Sequence, residues 1–178
     1  MRLLYSFIII LLSNFSISAQ TDSAITGTAK DSGQLKKDTL APYEKNPNLP
    51  TFSLQKADSS WFHKSNLKEK PVLILYFSPE CGHCQIETED LITKINGLKN
   101  LQIVMVTSRP LEDMVNFISH YKLNRFKSII VAKDHARFFS RYYDIQTTPF
   151  SALYDKDHKL VKVYKKGINF TELINLVN

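Results

Sequence analysis

The apolar run VLILYF at 72–77 is long enough to form a strand buried on both faces, as in the middle of a sheet. Beyond it the period changes. From about residue 81 to 98 the apolar positions Leu91, Ile95 and Leu98 continue a line back through Thr88 to Cys84, in the alternating three- and four-residue steps of one helix face. The alternation then repeats. LQIVMVTS (101–108) predicts a strand, LEDMVNFISHYKL (111–123) a helix, SIIVAK (128–133) a strand and HARFFSRYY (135–143) a helix leading into DIQTTPFSALYD. A turn at 156–159, a strand LVKVYKK and a closing helix FTELINLVN finish the chain, and LPTFSL (49–54) is a short extended piece at the front. Strands alternating with helices imply crossover connections and an α/β fold, a central sheet flanked by helices. The last two strands, joined by a short turn, should form an antiparallel hairpin, so the sheet is mixed.

The ends are different in character. MRLLYSFIIILLSNFSISAQ places one basic residue, Arg2, before an apolar stretch shorter than a membrane span and ending in small polar residues. Residues 1–19 are therefore expected to be a signal peptide cleaved after Ala19, with Ser18 as second choice; retention as a membrane anchor is the alternative. No cysteine lies near it to carry a lipid, and the C-terminal NLVN carries no retention signal. The expected destination is a bacterial periplasm. Residues 20–48, polar, small and without periodicity, predict a flexible tether, and 49–178 the folded domain.

A chain of 178 residues with 43% hydrophobic and 22% charged residues can bury a real core in one domain. Its formal net charge of +6 comes from scattered lysines with one small cluster at 159–166. That cluster fits the solvated face and edge of a strand. With no arginine-rich stripe or RNA-reading motif, no nucleic acid partner is expected.

Both cysteines fall within four positions, in the stretch ILYFSPECGHCQIETEDL. Placed at a helix start after a buried strand, Cys81 meets unsatisfied backbone N–H groups and the positive helix end, which lower a thiol's pKa and supply thiolate near neutrality. Cys84, one turn on, lies along the apolar line and should be less accessible. Cys81 is thus the expected nucleophile and Cys84 the thiol that resolves the mixed disulfide. A structural disulfide closing so short a loop would constrain the unfolded chain very little. Zinc needs four ligands, and His63, His83, His120, His135 and His158 form no ligand-spaced pair. Haem attachment needs histidine directly after the second cysteine, where Gln85 stands.

FSPECGHC after a buried strand, with TTPF about 65 residues later, resembles the thioredoxin superfamily, and the leading LPTFSL and inserted strand–helix portion resemble its TlpA-like branch of exported thiol–disulfide oxidoreductases. The resemblance covers residues 49–178 and implies a thioredoxin-like fold. It matches Pro149 to the family's cis-proline and Thr148 to the residue whose backbone pairs with substrate. It matches Glu87 to the glutamate of a Cys-x-x-Cys-x-x-Glu pattern, a candidate proton acceptor; a plain helix-surface glutamate is the other reading. Between the thiols stand Gly82 and His83, the spacer also found in protein disulfide isomerases. A cationic His83 would favour the Cys81 thiolate, whereas Glu80, where thioredoxins usually have tryptophan, would oppose it. The aspartate that thioredoxin holds six residues before the first cysteine is Leu75, and the proline common after the glutamate is Glu89. Trp61, Tyr142 and Tyr143 are expected to be core or packing residues.

The expected function is thiol–disulfide exchange on cysteine pairs of exported proteins, with no bound cofactor and with a redox partner that recycles the dithiol. Two alternatives share the fold. One is a copper-binding or delivery module using the two thiols. The other is a peroxiredoxin-like peroxidase, for which Ser78 fits the position three before the cysteine but Ile74 stands where a proline is needed.

Overall fold

The computed structural model describes residues 40–178, so the expected signal peptide and most of the expected tether lie outside the described residues. The elements follow the order α1 (Pro42–Lys45), β1 (Ser53–Lys56), β2 (Trp61–His63), β3 (Val72–Tyr76), α2 (Gly82–Lys94), β4 (Gln102–Thr107), α3 (Leu111–His120), β5 (Ile129–Lys133), α4 (Phe138–Tyr142), β6 (Phe150–Tyr154), β7 (Leu160–Tyr164) and α5 (Phe170–Val177). Seven strands form one sheet in the order β2-β1-β5-β4-β3-β6-β7. β3, β4 and β5 run parallel; β6 is antiparallel to β3, and β6 and β7 form the expected antiparallel hairpin.

The central strand β3 is buried at all five positions, as its unbroken apolar run requires. Its side chains alternate between two cores. Leu73 and Leu75, with Phe77 just beyond, join Ile103 and Met105 under Leu91 of α2, Phe117 of α3 and Leu173 of α5. Val72, Ile74 and Tyr76 face the other way, onto Phe139 of α4, Tyr143, Tyr43 and Phe52. Fully burying an aliphatic or phenyl side chain of this kind contributes about 1.5–3 kcal/mol, so both faces of the sheet are held by their helices. In α2 the buried residues are Cys84, Glu87, Thr88 and Leu91, which fixes one face of that helix against the sheet.

Three expectations need correction. The predicted helix over 135–143 begins later, at Phe138. Arg137 takes a left-handed turn (φ 50°) and the buried Asp134 carboxylate accepts the Phe139 N–H at 2.8 Å, so the start is set by this cap rather than by apolar spacing. The end of the supposed tether is part of the fold. Tyr43 is buried against Tyr143 and Phe150, Asn48 bridges to Lys159, and the Tyr142 hydroxyl donates to the carbonyls of Asn46 and Asn48. Composition is a poor guide there, because a single aromatic anchor among polar residues supplies the burial. Trp61 is not a core residue: it is 52% exposed, because the short edge strand β2 turns Phe62 inward and Trp61 and His63 outward. Tyr143 is buried, with its hydroxyl 2.7 Å from that of Tyr154. No helix among the described residues is long and apolar enough to cross a membrane.

Candidate active site

The parallel register sets the site. Tyr76 lies opposite Val106, and the Phe77 N–H donates to the Val106 carbonyl at 2.9 Å. The loops leaving the C-terminal ends of β3 and β4 therefore sit side by side, the usual place for chemistry in an open α/β sheet. The first carries Cys81 and the second Arg109. The antiparallel neighbour β6 starts at Phe150, just after the Thr148–Pro149 peptide, which is cis. In this way residues 67 positions apart in sequence meet: Cys81 Sγ donates to the Thr148 carbonyl at 3.4 Å.

Cys81 is the N-cap residue of α2 and is half-buried; Cys84 is fully buried. The two thiols are driven apart in acidity. Burial disfavours the Cys81 thiolate, but hydrogen bonds from the Cys84 thiol, from Thr148 and from the backbone N–H groups of Cys84 and His83 outweigh it, and the pKa falls below the ordinary thiol value. Those two N–H groups are among the orphan donors of the helix start. For Cys84 burial dominates, and its pKa is pushed up to about 12. The arrangement suits the outer thiol to attack and the inner one to resolve.

The residues around the pair differ from what their charges alone suggest. His83 is exposed, and its interaction with Cys81 runs through the backbone N–H rather than the ring. Gly82 leaves open space: a Cβ there would meet nothing within 4 Å. Glu80 does not stand as an isolated charge. Its carboxylate is paired with the Arg109 guanidinium and accepts the Ser78 hydroxyl at 2.6 Å. These contacts, the Ser78 bond foremost, hold its carboxyl below the usual range, so it is ionised at neutral pH.

Glu87 is not a surface residue. It is buried at 6% exposure on the same face as Cys84. Oε2 accepts the Ile168 N–H at 2.8 Å, whereas Oε1 is buried with no hydrogen-bond partner among the described residues. Burial raises its pKa above the usual carboxylate value, with the Ile168 N–H and the nearby Ser151 hydroxyl only partly offsetting it. The loop that delivers this N–H turns at Gly167, whose φ is +98°, and a Cβ there would come within 3.1 Å of Glu87 Oε2. Both features call for glycine. Gly167→Ala is expected to cost about 1–2 kcal/mol and to displace the carboxylate. An unchanged urea-unfolding midpoint would show that the loop absorbs the methyl group.

A groove of about 630 Å³ opens beside the dithiol, lined by His83, Ile86, Glu87, Thr148, Pro149 and Lys166 among others. Thus Cys81, Cys84, Thr148, Pro149 and Glu87 converge on one site, with Gly82, His83 and Glu80 at its rim. Sequence reasoning missed Arg109, Gly167 and Ile168. KKGIN carries a weak signal, a glycine between a strand and a helix; SRP at 108–110 carries none, because a lone arginine in a loop has no visible partner until the strands are registered.

Comparison with known proteins places this geometry. The model of the AhpC/TSA family matches residues 46–172. No curated protein matches the chain in sequence. Among solved structures it is similar to a candidate thioredoxin of Neisseria meningitidis (25% identity, TM-score 0.61, 72% of this chain and 85% of the other). It is similar also to a secreted disulfide oxidoreductase of Mycobacterium tuberculosis (20%, 0.60, 71% and 93%) and to a peroxiredoxin-like protein of Aquifex aeolicus (16%, 0.61, 73% and 83%). The shared fold is thioredoxin-like.

Proposed function

The chain belongs to the AhpC/TSA family, within the thioredoxin superfamily, and from that premise we propose that it is a thiol–disulfide oxidoreductase acting on cysteine pairs of exported proteins. The observation that carries this reading is the asymmetry of the dithiol. Cys81 is accessible, acidified and set against the Thr148 carbonyl, while Cys84 is buried and held protonated. In the reaction the Cys81 thiolate attacks one sulfur of a substrate disulfide, forming a mixed disulfide and releasing the other sulfur as a thiolate. Cys84 then gives up its proton and attacks Cys81, which frees the second substrate thiol and leaves Cys81–Cys84 oxidised. A donor dithiol restores the pair by the same exchange in reverse. Thr148 and Pro149 seat the substrate strand in the groove, and Glu87 takes the Cys84 proton.

Export rests on the N-terminal 19 residues, whose pattern is that of a secretory signal. The periplasm is the proposed compartment, and the redox partner is of the kind that recycles exported dithiols.

The first test is the reduction potential of the pair, from equilibration of purified residues 20–178 in graded glutathione buffers. A value near −270 mV, about that of thioredoxin, makes the protein a reductase; about −180 to −120 mV makes it an oxidase or isomerase. With Glu80 neutralised by Arg109, the more oxidising range is expected. Consumption of peroxide in place of protein disulfides would turn the reading to a peroxidase, and stoichiometric copper without turnover to a metal-delivery module.

A further inference from the structure

The Glu80–Arg109 pair has no part in the exchange reaction as written, yet Glu80 directly precedes the nucleophile in the chain. The register of β3 and β4 delivers it. Beyond Tyr76 and Val106 the two loops are joined twice, by the Tyr76 hydroxyl donating to Ser108 Oγ at 2.9 Å and by Arg109 on Glu80. Both Glu80 oxygens are engaged, Oε1 by Arg109 Nη2 and Oε2 by the Ser78 hydroxyl. The carboxylate precedes Cys81 by one residue and could not be left bare without opposing the charge that forms there. Each partner is about half exposed, at 50% and 52%, a setting in which an ion pair adds little to stability. Its effect is to be sought in the field at the thiol.

We propose that Arg109 is a positioning residue that cancels the charge of Glu80 beside the nucleophile and so sets the reduction potential of the Cys81–Cys84 pair. The proposal rests on the oxidoreductase reading. Reduction of the pair by two glutathione thiols yields glutathione disulfide and leaves one proton on Cys84; above the pKa of Cys81 its second proton goes to solvent. Whatever stabilises the Cys81 thiolate therefore favours the reduced form. The other titratable groups lining the groove beside the dithiol are His83, Glu87 and Asp90 on α2, and Lys165 and Lys166 across it, and the variants below leave all of them in place.

The test uses the full chain with Arg109→Gln, Glu80→Gln and the double variant. Two values are read for each: the Cys81 pKa from thiolate absorbance, and the equilibrium with glutathione. With Cys84 pushed up to about 12 and Cys81 held below the ordinary thiol value, the first thiol to titrate as pH rises is Cys81. Arg109→Gln leaves Glu80 without its guanidinium partner, and the Cys81 pKa is expected to rise by about half a unit, the size of a solvent-screened interaction between charges on neighbouring residues. The equilibrium shifts about threefold toward the disulfide, or ~14 mV toward lower potential. Glu80→Gln leaves Arg109 unpaired and shifts both values the opposite way. The double variant returns to the parent, and roughly 1 M salt shrinks both single-variant shifts. Unchanged values in Arg109→Gln, or shifts of the same sign in both single variants, overturn the proposal. A parent dithiol that fails to cycle with glutathione counts against the oxidoreductase reading alone, since the Cys81 titration still decides the role of Arg109.

Discussion

Replacing Cys81 with serine is expected to abolish exchange with protein disulfides, on the order of 10³-fold or more, while Cys84→Ser should attack once and stop as a mixed disulfide. The asymmetry follows from the numbers. With a pKa pushed up to about 12, Cys84 is ionised to about 10⁻⁵ at pH 7. A more basic thiolate is a better nucleophile, but with a Brønsted slope of about 0.4–0.5 three further units return only ~20-fold of the ~10³ lost. Full burial removes what remains, because an incoming disulfide cannot reach a sulfur with no exposed surface. Cys84 becomes competent only when the mixed disulfide brings a sulfur to it on Cys81, one turn away. The check is a reduction assay on a protein disulfide, with non-reducing electrophoresis to find trapped adducts. Normal turnover by Cys81→Ser would sink the assignment, and adducts formed on Cys84 in that variant would reverse the roles.

The parts of this site that were legible in the sequence are those carried by local pattern. The buried strand, the Cys-x-x-Cys at a helix start and the burial of Cys84 all follow from spacing within about 25 residues, and the structure places them so. Pro149 was legible through resemblance, because no local rule distinguishes it from any other proline before a strand. The burial of Glu87 was not legible. Acidic residues at 89 and 90 make it look like one of a solvated group, and it is the β7–α5 loop, some 80 residues on, that covers it. Arg109 was hidden for the same reason, since its partner is fixed by the parallel register of β3 and β4. Trp61 shows the converse error: a tryptophan reads as core by type, but a three-residue edge strand points it to solvent.

Glu87→Gln is expected to slow resolution of the mixed disulfide by roughly 10²-fold at neutral pH while leaving the first attack by Cys81 intact, a loss in the range that a positioned proton acceptor contributes. Cys84 cannot attack until its proton leaves, and at full burial the water that would accept it is remote. Glu87 shares a helix face with Cys84 at a three-residue spacing, lines the groove and keeps Oε1 free of hydrogen bonds. Burial raises its pKa, which brings it closer to the thiol it must deprotonate. Glutamine keeps the shape and can still accept the Ile168 N–H, so the variant removes the basicity and sets an amide NH2, a donor that Ser151 Oγ can accept, in place of the second oxygen. Stability supplies an independent reading with a definite sign. A carboxyl whose folded pKa is raised leaves the protein most stable below the ordinary carboxylate value and costs stability as pH climbs through the raised one. Glu87→Gln should therefore be more stable than the parent at neutral pH and equal to it in acid, the reverse of what loss of a structural contact would do. The kinetic check is release of a chromophoric thiol from a preformed adduct on Cys81, followed across pH. The parent rate should rise as Glu87 ionises, whereas the variant should lack that limb and climb only as Cys84 approaches its own pKa. Identical profiles would mean that solvent, not Glu87, takes the proton.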